Sequence, residues 1–489
     1  MWVSPGTKAG WRCGERLKGG FTPPAAFMRL ADRPGAFFLD SALPNARFGR
    51  YSFIGCNPSL TLSCDLDEIT VTRKGVSETF RGDPFDALRN IIAECRDRSG
   101  FAGTGRRADP SESAEHVPFI GGLVGYLGYD LRHFVEKLPQ TSRRDQRFPD
   151  IYLAFYDSAL CYDEARKDWW LFGEGDSADI LRGTAAQAGN PTEPYATGDI
   201  RASERPRVRG GRMRSNLSRN EYLAAVQRII DYITAGDIFQ ANFSRRFECE
   251  IDVPAPLLYT RLRESNPAPF AAYIDVGDGR CVMSSSPERF LRVDGRRVET
   301  RPIKGTRPRR EDAAADTAMK RELLNSEKDA AELAMIVDLE RNDLGRVCEF
   351  GTVRVDEART LETYATVHHL VATVTGTMRE GCDIVDLLRA TFPGGSITGA
   401  PKIRAMEIID ELEPTARSIY TGAIGYIGLD GRADLNIAIR TLLLDGSRAT
   451  FQVGGGIVAD SQPEAEYQET MDKGMGIMRA LGIDDAEAD

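Results

Sequence analysis

The sequence predicts an α+β protein containing antiparallel sheet, and three observations carry that prediction. Short strand-like runs alternate with turn residues in the N-terminal half: RYSFIG (50–55), LTLSCDL (60–66), ITVTR (69–73) and IYLAFY (151–156). Asp-Gly pairs at 294–295, 430–431 and 445–446 punctuate alternating apolar runs in the C-terminal half. Asp-Gly at such a place predicts a hairpin, because both central positions of a type I′ turn need positive φ. Amphipathic helices with terminal signals stand among these strands without following each of them, so the chain is not a series of βαβ units.

Taken in order, FDALRNIIAECRDR (85–98) has helical spacing. Residues 97–116 and 183–216 then lose apolar periodicity and fill with Gly, Pro, Ser and charge, which reads as loop or linker. The second stretch divides the chain into a region 1–215 and a region 216–489. Its run RASERPRVRGGRMR could be a phosphate-binding arm, but beside a linker a solvated surface is the better reading. Ser218, three residues before Glu221, opens a helix through a capping box, and that helix ends near Gly236. A further helix follows Asn325-Ser326. The last one is read as capped by Ser461, with Glu464 at the third position and Pro463 in the first turn. No internal repeat is apparent.

With 489 residues the chain can bury a sizeable core. Its 63 Lys+Arg against 73 Asp+Glu give a net charge of -10, no footprint for nucleic acid. Nine scattered cysteines without a CxxC pair argue against a disulfide framework or zinc site. The N-terminus lacks an apolar signal core, and no run approaches the roughly 18 apolar residues that span a bilayer. A cytoplasmic protein without a membrane partner is expected.

Several residue types could carry chemistry. Asp329 and Glu332 share one helix face, with Leu333, Ile336 and Val337 anchoring the other side; Glu466, Glu469 and Lys473 line a face of the last helix. Two such helices could converge on Mg²⁺, although acidic pairs at this spacing commonly face solvent. Lys304, between Ile and Gly after a strand pattern, is either a surface lysine or a buried amine whose lowered pKa makes it a nucleophile. Glu288 in SSSPERF could hold a proton and act as a general acid if shielded from water. FPGGSITGAPK (392–402) and VGGGIV (453–458) offer backbone N–H groups to an anion, and neither matches a nucleotide-binding fingerprint. A strand through His368 and His369 would send them to opposite faces.

SSSPERF, RPIKGTRPR, SEKDAAELAMIVDLERNDLGRV, VHHL, FPGGSITGAPK, NIAIRT, GGGIVADS and EAEYQET, in this order, resemble the chorismate-utilising enzymes. The likeness is dense from 216 onward and looser before, through GRYSFIG and PFIGGLVGYLGYD. It implies that family's α+β fold, an antiparallel β-sandwich-like core wrapped by helices, with the active site between the two halves. It also implies Mg²⁺ held by Glu332 and Glu469, with Asp329 and Glu466 holding its waters. Arg440, Lys473 and the amides of Gly455 and Gly456 would anchor substrate carboxylates. Glu288 would be the general acid, and His369 and Thr398 would orient the ring and its leaving group.

Two positions select a branch. Family members that add water carry a lysine base where this chain has Gln240, so water addition is disfavoured and Gln240 is expected to face the substrate. The anthranilate branch reads PIAGT and FPAGT where this chain reads PIKGT and FPGGS. Both departures imply the branch that makes 4-amino-4-deoxychorismate for 4-aminobenzoate and folate, through a covalent adduct on Lys304. The rivals are anthranilate synthesis and, in another class, a non-catalytic chorismate-binding protein. No glutaminase nucleophile motif is recognisable, so ammonia would come from a separate glutamine amidotransferase subunit. FLDS (38–41) and GRYSF (49–53) resemble strands that form a tryptophan pocket in the family, which makes Ser41, Arg50, Tyr51 and Ser52 candidates there; the family's usual LLES is absent.

Overall fold

The computed structural model describes residues 14–43, 48–99, 117–188, 208, 213–364 and 367–483. Among the described residues two twelve-stranded sheets face each other, and every strand pairing within them is antiparallel. The strand Ile151–Tyr156 shows why they stack. Its Ile151, Leu153 and Phe155 enter a core under one sheet's outer helices, while Tyr152, Ala154 and Tyr156 enter the core between the sheets. Side chains alternate across a strand, so a run that is apolar on both faces must be covered on both. Helices Pro84–Arg98, Glu327–Gly345 and Ile384–Thr391 cover the outer face of this sheet. Helices Pro23–Leu30, Asp176–Ala188, Ala255–Ser265 and Pro463–Ala480 cover the other.

Both sheets run across the 215/216 boundary. Phe37–Asp40 pairs with Phe270–Gly277, from Phe37 opposite Ile274 to Asp40 opposite Ala271. Gly122–Leu127 pairs with Ala423–Gly428 over six residues. Each sheet is therefore built from strands of both regions.

The capping box of Ser218 and Glu221 is formed, and its helix Arg219–Thr234 ends just before Gly236 at φ 84. Three expectations are corrected. The helix Asp176–Ala188 runs through Gly183, which was assigned to a linker, because Ala178, Leu181 and Ala185 on one face are buried and hold it down; the rest of that linker lies largely outside the described residues. The last helix is preceded by Gln462, not capped by Ser461, whose hydroxyl is committed to Glu466 Oε1 at 2.6 Å. The hairpins at Asp294-Gly295 and Asp445-Gly446 exist, but Asp294 pairs with Arg297 and Asp445 with Arg448, so each Asp is the last strand residue. Glycine alone takes positive φ there, 62 in both, at the first loop position as a II′ turn requires.

Candidate active site

Two of the candidate side chains, Glu288 and Arg440, lie where the chain passes from one sheet to the other. Arg280–Ser286 belongs to one sheet and Arg289–Asp294 to the other, with Pro287 and Glu288 as the crossing. Ala433–Ile437 and Thr441–Asp445 make a second crossing through Arg440. The two lie side by side: Ile437 N donates to Glu288 O at 3.0 Å, Ser285 N to Arg440 O at 3.0 Å, and Ser286 Oγ to Ile437 O at 2.6 Å. Crossings interrupt ladder pairing, which lets these side chains project between the sheets.

Glu288 is buried, and burial pushes its carboxyl above the usual range; the hydrogen bond from Ser396 and the charge of Lys304 oppose this. Lys304 lies on the strand Ile303–Pro308 at a register shift between Lys304 and Thr306. Gly305 makes that bulge possible, with φ 74 and no room for a Cβ, which would come within 2.9 Å of Asp329 and Leu323. Lys304 Nζ donates to the carbonyl of Ser396 at 3.0 Å. Burial draws its ammonium below the usual range, against the pull of Glu332 and Glu288. A carboxyl and an amine, both pushed by burial toward their neutral forms, thus face one turn.

His369 points to this side and His368 away from it, as strand alternation predicts. His368 is buried with Nε2 2.9 Å from Asp316 Oδ1. His369 shares a hydrogen bond with Thr306 Oγ1 at 2.8 Å, and its buried Nε2 has no partner. Burial, then Arg440, lowers it to about 3, so it is neutral at pH 7. Arg440 has φ 50, and Asn266 Oδ1 accepts from its Nη1 at 3.3 Å. Thr398 spends its hydroxyl on Gly394 O at 3.0 Å. Gln240 is buried with an unpartnered Oε1, and a Cβ on Gly456 would strike its Nε2 at 2.0 Å.

The glycine strand Arg448–Ile457 has a second neighbouring strand only as far as Phe451. Asn242 and Ser244, opposite Gly456 and Gly454, turn their own amides away, to Thr398 O at 2.7 Å and Glu413 Oε1 at 2.9 Å. Phe243 and Gly455 are therefore the hydrogen-bonded pair, since such pairs alternate. This corrects the expectation for two anchoring amides: the Gly456 N–H faces the open edge, and that of Gly455 is used in the ladder. Gly455 has another reason to be glycine, because its Cβ would stand 3.2 Å from Glu466 and 3.4 Å from Glu469.

Four carboxylates come from two helices, and cations hold three of them. Asp329 pairs with Arg307 at 3.1 Å, Glu332 with Lys328 at 4.0 Å and Glu469 with Lys473 at 2.6 Å. Burial raises Glu332 and Glu466, with repulsion from Glu469 adding to both, whereas Lys473 draws Glu469 down. Among the described residues no three of His, Cys, Asp or Glu form a ready-made metal cage. Mg²⁺ rarely needs one: it binds through one or two carboxylates plus water and substrate oxygens. Mutually repelling, partly buried carboxylates fit that requirement.

Ser41 and Tyr51 line a cavity of about 90 Å³ between the sheets, partly open to solvent, whose walls come from both N-terminal and C-terminal strands. Ser52 accepts from Ser41 N at 3.1 Å and so supports the lining from behind. Arg50 does not line it; its guanidinium grips Asp163 at 2.7 and 3.0 Å.

Sequence reasoning missed Ser396 and Arg417. Arg417 is fully buried, paired with Glu413 at 2.7 Å, and donates to Ile397 O at 3.1 Å and to Asn242 O at 2.5 Å. The FPGGS motif held the signal for Ser396; nothing local marks Arg417.

Residues 57–479 match the family model of chorismate binding enzymes. The chain is 38% identical to the aminodeoxychorismate synthase component 1 of Bacillus subtilis (strain 168), covering 91% of this chain and 92% of that protein. It is equally, 38%, identical to the anthranilate synthase component 1 of Thermus thermophilus, covering 95% and 96%. The crystal structure of anthranilate synthase component I from Streptococcus pneumoniae superposes with a TM-score of 0.74 at 29% identity, over 95% of this chain and 99% of that one.

Proposed function

Because the chain belongs to the family of chorismate binding enzymes, we propose that it aminates chorismate at C4, giving 4-amino-4-deoxychorismate for the 4-aminobenzoate and folate branch. Overall identity does not choose between the two amination products, since relatives of both kinds match equally. The observation that carries the choice is Lys304, held 3.0 Å from the Ser396 carbonyl beside the buried Glu288.

In this reading the neutral amine of Lys304 forms a bond to C2, the ring double bonds shift, and the C4–O bond breaks. The hydroxyl leaves as water with the proton of Glu288. Ammonia then bonds to C4, the double bonds shift back, and the C2–N bond breaks to release neutral Lys304. The new C4 ammonium returns one proton to Glu288, so chorismate and ammonia give aminodeoxychorismate and water. Two displacements retain configuration at C4. Without the lysine, ammonia would add directly at C2, the anthranilate route.

Glu332 and Glu469 would hold Mg²⁺, with Asp329 and Glu466 on its waters; the bound ion would neutralise the ring carboxylate. Arg440, Lys473 and the Gly456 amide would receive carboxylate oxygens. His369, neutral with Nε2 free, and Thr398 would face the ring. Gln240, which cannot take a proton, suits a site that does not activate water. Ammonia would come from a glutamine amidotransferase subunit, in the cytoplasm, where the eight described cysteines persist as free thiols. The inter-sheet cavity at Ser41 and Tyr51 is the candidate tryptophan pocket, which equilibrium dialysis with tryptophan tests.

The deciding experiment incubates the purified chain with chorismate, Mg²⁺ and ammonium at alkaline pH and identifies the product by mass and by its response to aminodeoxychorismate lyase. A product that lyase converts to 4-aminobenzoate supports the reading; anthranilate contradicts it. Ammonium should replace glutamine and its amidotransferase, and glutamine hydrolysis by the isolated chain would argue against a separate partner.

A further inference from the structure

One turn touches both reacting groups. The carbonyl of Ser396 accepts from Lys304 Nζ at 3.0 Å, and its hydroxyl is hydrogen-bonded to Glu288. A neutral carbonyl restrains the amine without the charge by which a carboxylate would favour the ammonium form. It occupies one N–H and leaves the lone pair to point elsewhere.

The turn is itself fixed from three sides. Thr398 Oγ1 donates to Gly394 O at 3.0 Å, and buried Arg417 donates to Ile397 O at 3.1 Å. Gly395 packs on the metal-carboxylate helix, where a Cβ would lie 2.8 Å from Leu339. A Cβ on Gly394 would lie 2.9 Å from Ile437 Cδ1 and 3.4 Å from Phe290. Ile437 donates its N–H to Glu288 O, so the side chain that meets residue 394 belongs to the residue that holds the acid's backbone.

We propose that the turn Gly394–Ser396 is a positioning element that holds the Lys304 amine and the Glu288 carboxyl in register, and so directs nitrogen to C4 over C2. This rests on the C4-amination reading. It also bears on why the chain reads FPGGS: an alanine at residue 394 would push aside Ile437 Cδ1, on the residue whose N–H holds the Glu288 carbonyl.

The test compares Gly394→Ala, Ser396→Ala and Ser396→Thr with wild type, with ammonium as nitrogen source. It reads kcat, KM, the ratio of C4 to C2 products, and the melting temperature. Ser396→Ala should lower kcat about tenfold with KM unchanged, the scale of one hydrogen bond to a charged group, and Ser396→Thr should recover most of the loss. Gly394→Ala should shift the product ratio toward C2, whereas general loosening of the fold would lower both products together. Ser396→Ala adds no atoms, so it decides the matter should Gly394→Ala fail to fold. Folded Ser396→Ala with wild-type kcat and product ratio would overturn the inference. Wild-type protein making only anthranilate would instead sink the C4 reading itself.

Discussion

Two regions of the site are built by different means. Around Lys304 and Glu288 the positions are set by backbone: a bulge at Gly305, two adjacent sheet crossings, and a turn pinned by Thr398 and Arg417. Around Asp329, Glu332 and Glu469 they are set by long cationic side chains, Arg307, Lys328 and Lys473. Lysine and arginine contacts at partly exposed sites are weak and exchangeable. The difference teaches that Lys304 and Glu288 are fixed by the backbone around them, whereas the carboxylates rest on exchangeable contacts that, in the proposed reading, a magnesium ion would replace.

Breaking the first region should have the largest effect, and magnesium should not repair it. Glu288→Gln is expected to lower kcat by about 10²–10⁴-fold at any magnesium concentration, because the amide cannot supply the proton to the leaving hydroxyl. Steady-state kinetics across a magnesium titration check this, and recovery at high magnesium would merge the two regions. Breaking the second should appear mainly as a magnesium requirement. Glu332→Gln and Glu469→Gln should abolish turnover at low magnesium with the fold intact. Asp329→Asn and Glu466→Gln should weaken apparent magnesium affinity by about 10–100-fold and be repaired by excess metal. Near-normal rates at low magnesium in either glutamine variant would remove those residues from the metal site.

The smallest effect concerns the cost of rigid burial. His369 titrates at about 3 in the fold against 6.5 ordinarily, so between those values the unfolded chain binds a proton that the folded chain excludes. Stability from this group is complete above about 6.5 and declines as pH falls toward about 3. Relative to wild type, His369→Asn should therefore melt progressively higher as pH is lowered through that window. A melting difference independent of pH would mean that His369 is not held neutral.

The same contrast explains what was legible in the sequence. Spacing put Asp329 with Glu332 and Glu466 with Glu469, because helix periodicity alone places them. Strand alternation separated His368 from His369, and apolar runs announced both sheets. The Lys304–Ser396 contact was not legible, since it joins residues 92 apart through a bulge and a turn, and neither leaves a periodic trace. The Gly455–Gly456 distinction needed the register of a neighbouring strand, and helix 176–188 needed the tertiary burial of Leu181 to outweigh Gly183. Local rules read what repeats along the chain; the crossings that build the pre-set half of the site do not repeat.

The central claim, that Lys304 is a nucleophile and not merely a nearby charge, is tested most directly by trapping its adduct. Chorismate and Mg²⁺ without ammonia, quenched rapidly, should leave the mass of chorismate minus water on the peptide carrying Lys304, and Lys304→Ala should lose both that adduct and most C4 amination. An unmodified peptide under conditions where the protein turns over with ammonia, together with wild-type aminodeoxychorismate synthesis by Lys304→Ala, would contradict it.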